Sequence, residues 1–116
     1  MKKVLVADDD AAILDSLSII LEFEGYEVST TLNGATLLDM NEFPDLVLLD
    51  ILMSGVDGRD ICRQLKQNQT TSNIPVVLLS ASKDIQQSAL DAGAKDFLAK
   101  PFSIDDLLKK IVKNIQ

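Results

Sequence analysis

The residues best suited to chemistry in this sequence share one position, because each directly follows a short, largely apolar segment. They are three consecutive acids, one later acid, one hydroxyl and one lysine: Asp8, Asp9, Asp10, Asp50, Ser80 and Lys100. Most of these segments are apolar without alternation, which is typical of strands buried on both faces of a sheet. In open parallel sheets, ligands bind beyond the carboxyl ends of the strands. We therefore expect these side chains to meet at one edge of a sheet.

Carboxylates at adjacent strand ends repel one another. At an effective dielectric constant near 20, two unit charges about 4 Å apart repel by roughly 4 kcal/mol. Lys100 can offset part of this repulsion, and a divalent ion held by carboxylate oxygens, a backbone carbonyl and water can offset the rest. Ligation by oxygen alone fits Mg²⁺. Such a cluster can hold the ion, and one of its acids can attack a phosphoryl group whose charge the ion has neutralised.

Several of these residues also have a purely structural interpretation. Asp10 is expected to cap the helix that follows it, and Asp8 and Asp9, taken alone, would be ordinary loop acids. Asp50 is harder to explain in this way, because it ends an apolar strand, where site residues concentrate in this architecture. The joint pattern, rather than any single residue, predicts the site.

Two further features are interpreted as structural only. Cys62 lies on the apolar face of a predicted helix and is expected to be a small core residue. Asp57-Gly58 precedes the same helix and is expected to supply turn and cap chemistry.

The elements that position these residues follow from the hydrophobic periodicity. Predicted strands lie at 3–7, 26–31, 45–50, 75–79 and 96–99, and predicted helices at 11–24, 34–41, 58–68, 83–92 and 103–115. The second strand alternates more than the others, which suits a sheet edge, and the last helix has the clearest helical period. Ser103 is expected to cap that helix. Alternating strands and helices predict an open, doubly wound α/β fold with one five-stranded parallel sheet, (βα)5, and helices on both faces.

The composition excludes several classes of function. A length of 116 residues suits one domain, and a net charge of -7 disfavours binding to nucleic acid or to anionic membranes, so the expected partner is a protein. With no His, the chain cannot supply a Ser-His pair, an imidazole metal ligand or its own phosphohistidine. The single Cys62 cannot form an internal disulfide, and no signal or membrane segment is recognised, so we expect a cytoplasmic location.

From Lys3 to the end of the last helix, the sequence resembles the receiver domain of two-component response regulators. The resemblance rests on stretches that occur in order: Val4 to Asp10, Pro44 to Asp50 with Asp57-Gly58, Ser80-Ala81, and Lys100-Pro101-Phe102. It implies the flavodoxin-like strand order 2-1-3-4-5, which chemotaxis members of the family share.

The resemblance implies a role for each charged residue. Asp50 would accept a phosphoryl group from a phosphohistidine on a sensor histidine kinase or a phosphotransfer protein. Asp9 and Asp50 would ligate Mg²⁺, with Asp8 acting mostly through water and the backbone carbonyl of Leu52 completing the protein ligands. Lys100 would pair with Asp50 and then with a phosphoryl oxygen.

The resemblance also implies a switch. Ser80 would hydrogen-bond a phosphoryl oxygen and draw the following loop inward, while Ala81 leaves room for the group. Phe97 would move inward and alter the surface formed by the last two predicted helices and the strand between them, which is the expected output face. A phosphorylation-dependent homodimer is a further expectation, separate from the resemblance. The peptide bond between Lys100 and Pro101 is expected to be cis.

Three other functions fit parts of the pattern. A phosphatase of the haloacid dehalogenase type also uses a strand-end Asp and Mg²⁺, but it needs a second Asp two residues later, where this chain has Leu52. In a flavodoxin-like FMN carrier, the three acids after the first strand would repel the ligand phosphate. A receiver-shaped interaction module that is never phosphorylated keeps every named residue, so this alternative function is not excluded.

The loop Met53-Ser54-Gly55 departs from the Met-Pro-Gly common in the family, which predicts a looser loop.

Overall fold

The computed structural model describes residues 1–53, 55–82, 84 and 86–115. One parallel sheet contains five strands: β1 (Lys3–Ala7), β2 (Glu27–Thr31), β3 (Leu46–Asp50), β4 (Val76–Ser80) and β5 (Asp96–Ala99). The strand order is β2-β1-β3-β4-β5, and every neighbouring pair is parallel. The structure therefore confirms the expected 2-1-3-4-5 order and the position of the second strand at an edge.

The sheet is covered on both faces by helices, which are α1 (Ala11–Phe23), α2 (Gly58–Gln67), α3 (Gln86–Asp91) and α4 (Ile104–Asn114). Two separate apolar clusters form the core, one with α1 and α4 and the other with α2 and α3. Successive residues of β3 alternate between them, because neighbouring side chains on a strand point to opposite faces. Leu48 joins the first cluster and Leu49 the second. This two-sided burial explains why the central strands are apolar without alternation.

The predicted helix at 34–41 is instead a 3-10 helix at Gly34–Asp39, so this expectation was wrong in type. The hydroxyl of Thr36 donates to the carbonyl of Asn33 at 2.8 Å, a local bond that competes with regular helix formation. Gly34 and Leu37 are the buried residues of this segment, which gives a longer amphipathic helix little apolar surface to bury.

A short antiparallel pair of strands follows β3. Leu52–Met53 pairs with Val56–Asp57, and between them Gly55 has a φ of 71°, a left-handed conformation that favours glycine. Ser54 lies outside the described residues, so the predicted looseness of this loop stays a prediction.

The predicted helix at 83–92 includes residues 83 and 85, which also lie outside the described part, and α3 covers its later portion.

Cys62 is buried in the core as expected, and burial raises the pKa of its thiol. No helix among the described residues is both long and apolar enough to cross a membrane.

Candidate functional site

The carboxyl ends of β1 and β3 bring three carboxylates together. The two strands are neighbours, with Ala7 opposite Leu49, so the residues that end or follow them lie side by side. One carboxylate oxygen each of Asp8, Asp9 and Asp50 lies within 4.8 Å of the others. The structure thus assembles the acids that the sequence placed at one edge of the sheet.

The three consecutive acids after β1 lie in different environments. Asp8 is 1% exposed, whereas Asp9 and Asp10 are exposed. Asp10 caps α1, since its Oδ1 accepts the backbone N–H groups of Ala12 at 3.0 Å and Ile13 at 3.4 Å. The expected capping role of Asp10 is confirmed, and Asp10 lies outside the cluster of three carboxylates.

Lys100 reaches the cluster from the end of β5. Its Nζ lies 2.8 Å from Oδ2 of Asp8 and 3.5 Å from Oδ1 of Asp50, so it contacts both buried acids and lies nearer to Asp8 than the resemblance implied. Its backbone N–H donates to the carbonyl of Ser80 at 2.7 Å, which joins the ends of β4 and β5. The Lys100–Pro101 peptide bond is cis, the expected isomer.

Burial and neighbouring charges shift the pKa values of Asp50 and Lys100. Burial raises the pKa of Asp50, the charge of Asp8 raises it further, and Lys100 counteracts this only in part. Burial would lower the pKa of Lys100, but its hydrogen bond to Asp8 and the charge of Asp50 outweigh burial and raise it. The site also gathers carboxylate oxygens of Asp8, Asp9 and Asp50 within 4.8 Å of one another. A divalent cation held by oxygen ligands therefore fits these residues.

The hydroxyl of Ser80 is buried beside this edge of the sheet. Its oxygen accepts the backbone N–H of Ser82 at 3.0 Å, and this bond uses an oxygen lone pair rather than the hydroxyl proton. Ala81 is exposed and has only a methyl side chain, which fits the expected need for space. Ser80 and Ala81 thus both lie where the loop leaves β4.

Phe97 lies in the core. It is 8% exposed and packs in the core cluster that includes Ala89 of α3. The movement of this ring on activation, which the resemblance implied, stays a prediction. The backbone carbonyl expected from Leu52 belongs to the short strand after Asp50, and the side chain of Leu52 is 70% exposed.

Gly58, interpreted from the sequence as turn and cap chemistry only, packs against the backbone of Asp50. A Cβ atom at this position would lie 2.3 Å from the carbonyl oxygen of Asp50 and 2.9 Å from Cα of Ile51. The N–H of Gly58 also donates to the carbonyl of Ile51 at 2.8 Å. Asp57 caps α2 as expected, since its carboxylate accepts the N–H of Arg59 at 2.8 Å. In the sequence, the signal for this close packing was a glycine at the first helical position, where helix formation itself does not require glycine.

An apolar groove of about 500 Å³ opens next to the cluster. The first half of α1 forms one side, and the residues after β4 and β5 form the other. Its lining includes Ala12, Ile13, Leu17, Ala81, Lys100 and Phe102. Because Lys100 also contacts Asp50, a partner bound in this groove would lie beside that carboxylate.

Known proteins share both the sequence pattern and the fold. The family model described as response regulator receiver domain matches residues 4–112. The chain is 40% identical over 113 residues to the response regulator MprA of Mycobacterium sp. strain KMS, with 94% of this chain covered. It is 38% identical over 115 residues to RpaA of Synechocystis, described as a DNA-binding dual master transcriptional regulator, with 96% covered. In both comparisons the chain spans 48% of the relative.

Solved structures agree with these relatives. The chemotaxis protein CheY4 of Vibrio cholerae superposes with a TM-score of 0.91 at 28% identity, covering 99% of both chains. The response regulator protein TrrA of Thermotoga maritima, solved in complex with Mg(2+)-BeF, superposes with a TM-score of 0.89 at 31% identity. That alignment covers 99% of this chain and 100% of TrrA.

Proposed function

The chain belongs to the response regulator receiver domain family, and on this basis we propose that Asp50 is the residue at which it accepts a phosphoryl group. Response regulators receive this group from histidine kinases in two-component systems. The observation that carries the proposal is the grouping of the Asp50 carboxylate with Asp8, Asp9 and Lys100 at the carboxyl edge of the sheet.

The proposed step is a direct transfer. A carboxylate oxygen of Asp50 attacks the phosphorus atom of a phosphohistidine, the new O–P bond forms as the P–N bond breaks, and the bonding electrons leave with the imidazole of the donor. Charge spreads over the equatorial phosphoryl oxygens during such a transfer, so catalysis consists mainly of positioning and neutralisation. The Lys100 ammonium group lies close enough to Asp50 to neutralise one of these oxygens.

The acids of the site are proposed to hold Mg²⁺ through carboxylate oxygens of Asp9 and Asp50, with Asp8 nearby and the carbonyl of Leu52 as the expected backbone ligand. When bound, the ion supplies positive charge to the phosphoryl oxygens. The chain's own contribution is to keep Asp50 buried next to Lys100 and to keep Asp9 accessible to solvent.

Ser80 is proposed to respond to phosphorylation of Asp50. Its hydroxyl proton would be donated to a phosphoryl oxygen, which would draw the loop after β4 towards Asp50. Because that loop leads into α3, the surface made by α3, β5 and α4 would change and serve as the output face. A phosphorylation-dependent homodimer through this face is one form of that output.

The proposed natural donor is a phosphohistidine outside these 116 residues, because they contain no His. A sensor histidine kinase or a phosphotransfer protein is the proposed donor, and the apolar groove along α1 offers it a docking surface beside Asp50.

DNA binding is described for the relative RpaA, of which this chain spans 48%. The net charge of -7 argues against direct nucleic-acid contact by this domain. The free Cys62 fits a reducing compartment, so the cytoplasm is the proposed location.

Incubation with acetyl phosphate and Mg²⁺, followed by intact mass measurement, tests the proposal. We expect one added phosphoryl group on the wild type and on Asp15→Asn, an exposed control on α1, and none on Asp50→Asn. An unmodified wild type, under conditions that label an established receiver, would support the alternative of an interaction module that is never phosphorylated. Rapid turnover of a generic phosphomonoester would instead support a phosphatase, and a yellow bound cofactor an FMN carrier.

A further inference from the structure

Helix α3 is lightly attached to the rest of the molecule. Among the described residues of this helix, Ala89 is the one that is buried. A side-chain bond from another helix supplements this packing, since Nη1 of Arg59 donates to Oγ of Ser88 at 3.2 Å. The two residues are 29 positions apart in sequence, so the bond joins the start of α2 to α3. A helix with so little buried surface is sensitive to a single added bond.

Arg59 is itself held firmly by Asp57. Its Nε lies 3.0 Å from Oδ1 of Asp57 and its Nη2 lies 2.6 Å from Oδ2, a bidentate arrangement that orients the guanidinium plane. The hydrogen bond and charge of Arg59 lower the pKa of Asp57, so the pair stays ionised near neutral pH. Asp57 in turn pairs with Leu52 in the short antiparallel ladder after Asp50. Arg59 therefore moves with the loop that follows Asp50.

The hydroxyl group of Ser88 moves with a different part of the chain. Ser88 belongs to α3, which begins at Gln86, six residues after Ser80. The backbone between them includes Ser82, whose N–H is bonded to the Ser80 hydroxyl oxygen. Under the proposed function, an inward movement after Ser80 would displace α3, whereas Arg59 would stay with the loop after Asp50. Such a displacement would lengthen the bond between Arg59 and Ser88.

We propose that Arg59 is a positioning residue that holds α3 in the position seen in the structure and thereby opposes the movement linked to phosphorylation of Asp50. This inference rests on the proposed function, because it assumes that Asp50 accepts the phosphoryl group and that Ser80 responds to it. The bond between Arg59 and Ser88 couples the position of α3 to the position of the loop after Asp50. A ligand or modification that interacts more strongly with one position of this loop therefore shifts the population of α3 positions, by at most that difference in free energy.

Two substitutions and a matched control test this role. Ser88→Ala removes the acceptor while leaving the pair of Arg59 with Asp57 intact, and Arg59→Met removes the guanidinium group. Arg63→Met is the control, because it deletes the same charge from the same helix, and the guanidinium of Arg63 bonds Asp60 at 2.7 Å. The measurements are the rate of Asp50 labelling by acetyl phosphate with Mg²⁺ and amide hydrogen exchange of residues 86–92 without a phosphoryl donor.

We expect Ser88→Ala and Arg59→Met each to raise the labelling rate and the exchange rate by about two- to about twelvefold, the range that loss of one hydrogen bond allows. The double variant should resemble the single variants, because both remove the same bond, and Arg63→Met should match the wild type. Labelling and exchange rates that stay at wild-type values in Ser88→Ala, or that fall, would overturn the proposal. If wild-type Asp50 is not labelled, the proposed function fails, and exchange in α3 still shows whether Arg59 holds this helix.

Discussion

At the scale of single residues, the three consecutive acids after β1 show how position decides the role of a side chain. Asp8 is buried and bonded to Lys100, Asp9 is exposed within the carboxylate cluster, and Asp10 caps α1. The three residues have the same chemistry and are adjacent in sequence. Residue type alone predicts a positively charged group near these acids. Which acid pairs with Lys100, which joins the cluster and which caps the helix depends on the direction in which each side chain points.

Gly58 gives the sharpest prediction at this scale. Ordinary helix propensity would make Gly58→Ala stabilising by up to ~1 kcal/mol. We expect the opposite sign, a loss of about 1–3 kcal/mol in the free energy of unfolding, because the new Cβ would overlap the Asp50 carbonyl. Urea denaturation measures the loss, and the rate of labelling by acetyl phosphate should fall because the acceptor is displaced.

Gly25→Ala is the control for Gly58→Ala. Gly25 has a φ of 95° but open space around the position of a Cβ atom, so the substitution strains the backbone far from the site. It should lower stability without slowing the labelling of Asp50. Equal labelling rates in the two variants would contradict the proposed contact between Gly58 and Asp50.

At the scale of elements, the attachment of α4 to β5 combines a predictable part with one that the sequence did not reveal. The apolar stripe of α4 was clear from its period, and Leu107 and Ile111 are buried as a result. The polar attachment was not predicted: Asp96 at the start of β5 accepts hydrogen bonds from Lys110 at 2.7 Å and from buried Asn114 at 3.0 Å. Polar pairing between β5 and the end of α4 depends on the angle at which the helix crosses the strand.

This attachment makes part of the stability depend on pH. Burial alone would raise the pKa of Asp96, but the hydrogen bonds from Lys110, Asn114 and the Phe97 backbone lower it to about 2, against an ordinary value of 3.8. The stabilisation is therefore complete above the ordinary value and is lost as the pH falls towards 2. From this shift we expect Asp96→Asn to lose about 2 kcal/mol at pH 7 and clearly less at pH 3.

Denaturation of the wild type and Asp96→Asn at the two pH values measures this difference. Asp15→Asn, which changes an exposed acid on α1, serves as the charge control and should show little change at either pH. A loss that is the same at pH 7 and pH 3 would mean that the Asp96 carboxylate charge does not contribute to the attachment of α4.

At the scale of the whole molecule, folding brings acidic side chains together, and a bound cation would reduce the resulting repulsion. The chain carries a net charge of -7, and the parallel sheet gathers three of its carboxylates within 4.8 Å at one edge. In the unfolded chain Asp50 is far from the other two in sequence, so this repulsion exists mainly in the folded state. An ion that binds only the folded state stabilises it.

Addition of Mg²⁺ should therefore raise the melting temperature. An ion present at 100 times its dissociation constant adds about 2.7 kcal/mol to the free energy of unfolding. Asp9→Asn should weaken this response because it removes a proposed ligand. Asp10→Asn is the matched control, since Asn is also a good N-cap residue and Asp10 lies outside the cluster, so its response to Mg²⁺ should match the wild type. A response that is unchanged in Asp9→Asn would count against the ligand assignment.

The sequence by itself determined the fold class, the strand order through its family resemblance, and the edge at which the acids, the serine and the lysine collect. These features follow from local periodicity and from the rule that parallel strands end at the same edge, so they need no knowledge of exact packing. Only the tertiary structure decided that 34–39 forms a 3-10 helix, that Lys100 lies nearer Asp8 than Asp50, that Gly58 packs against the acceptor backbone and that Arg59 reaches Ser88. Each of these depends on distances of a few ångströms between segments that are remote in sequence, and such distances are set by how side chains fill the space between the sheet and its helices.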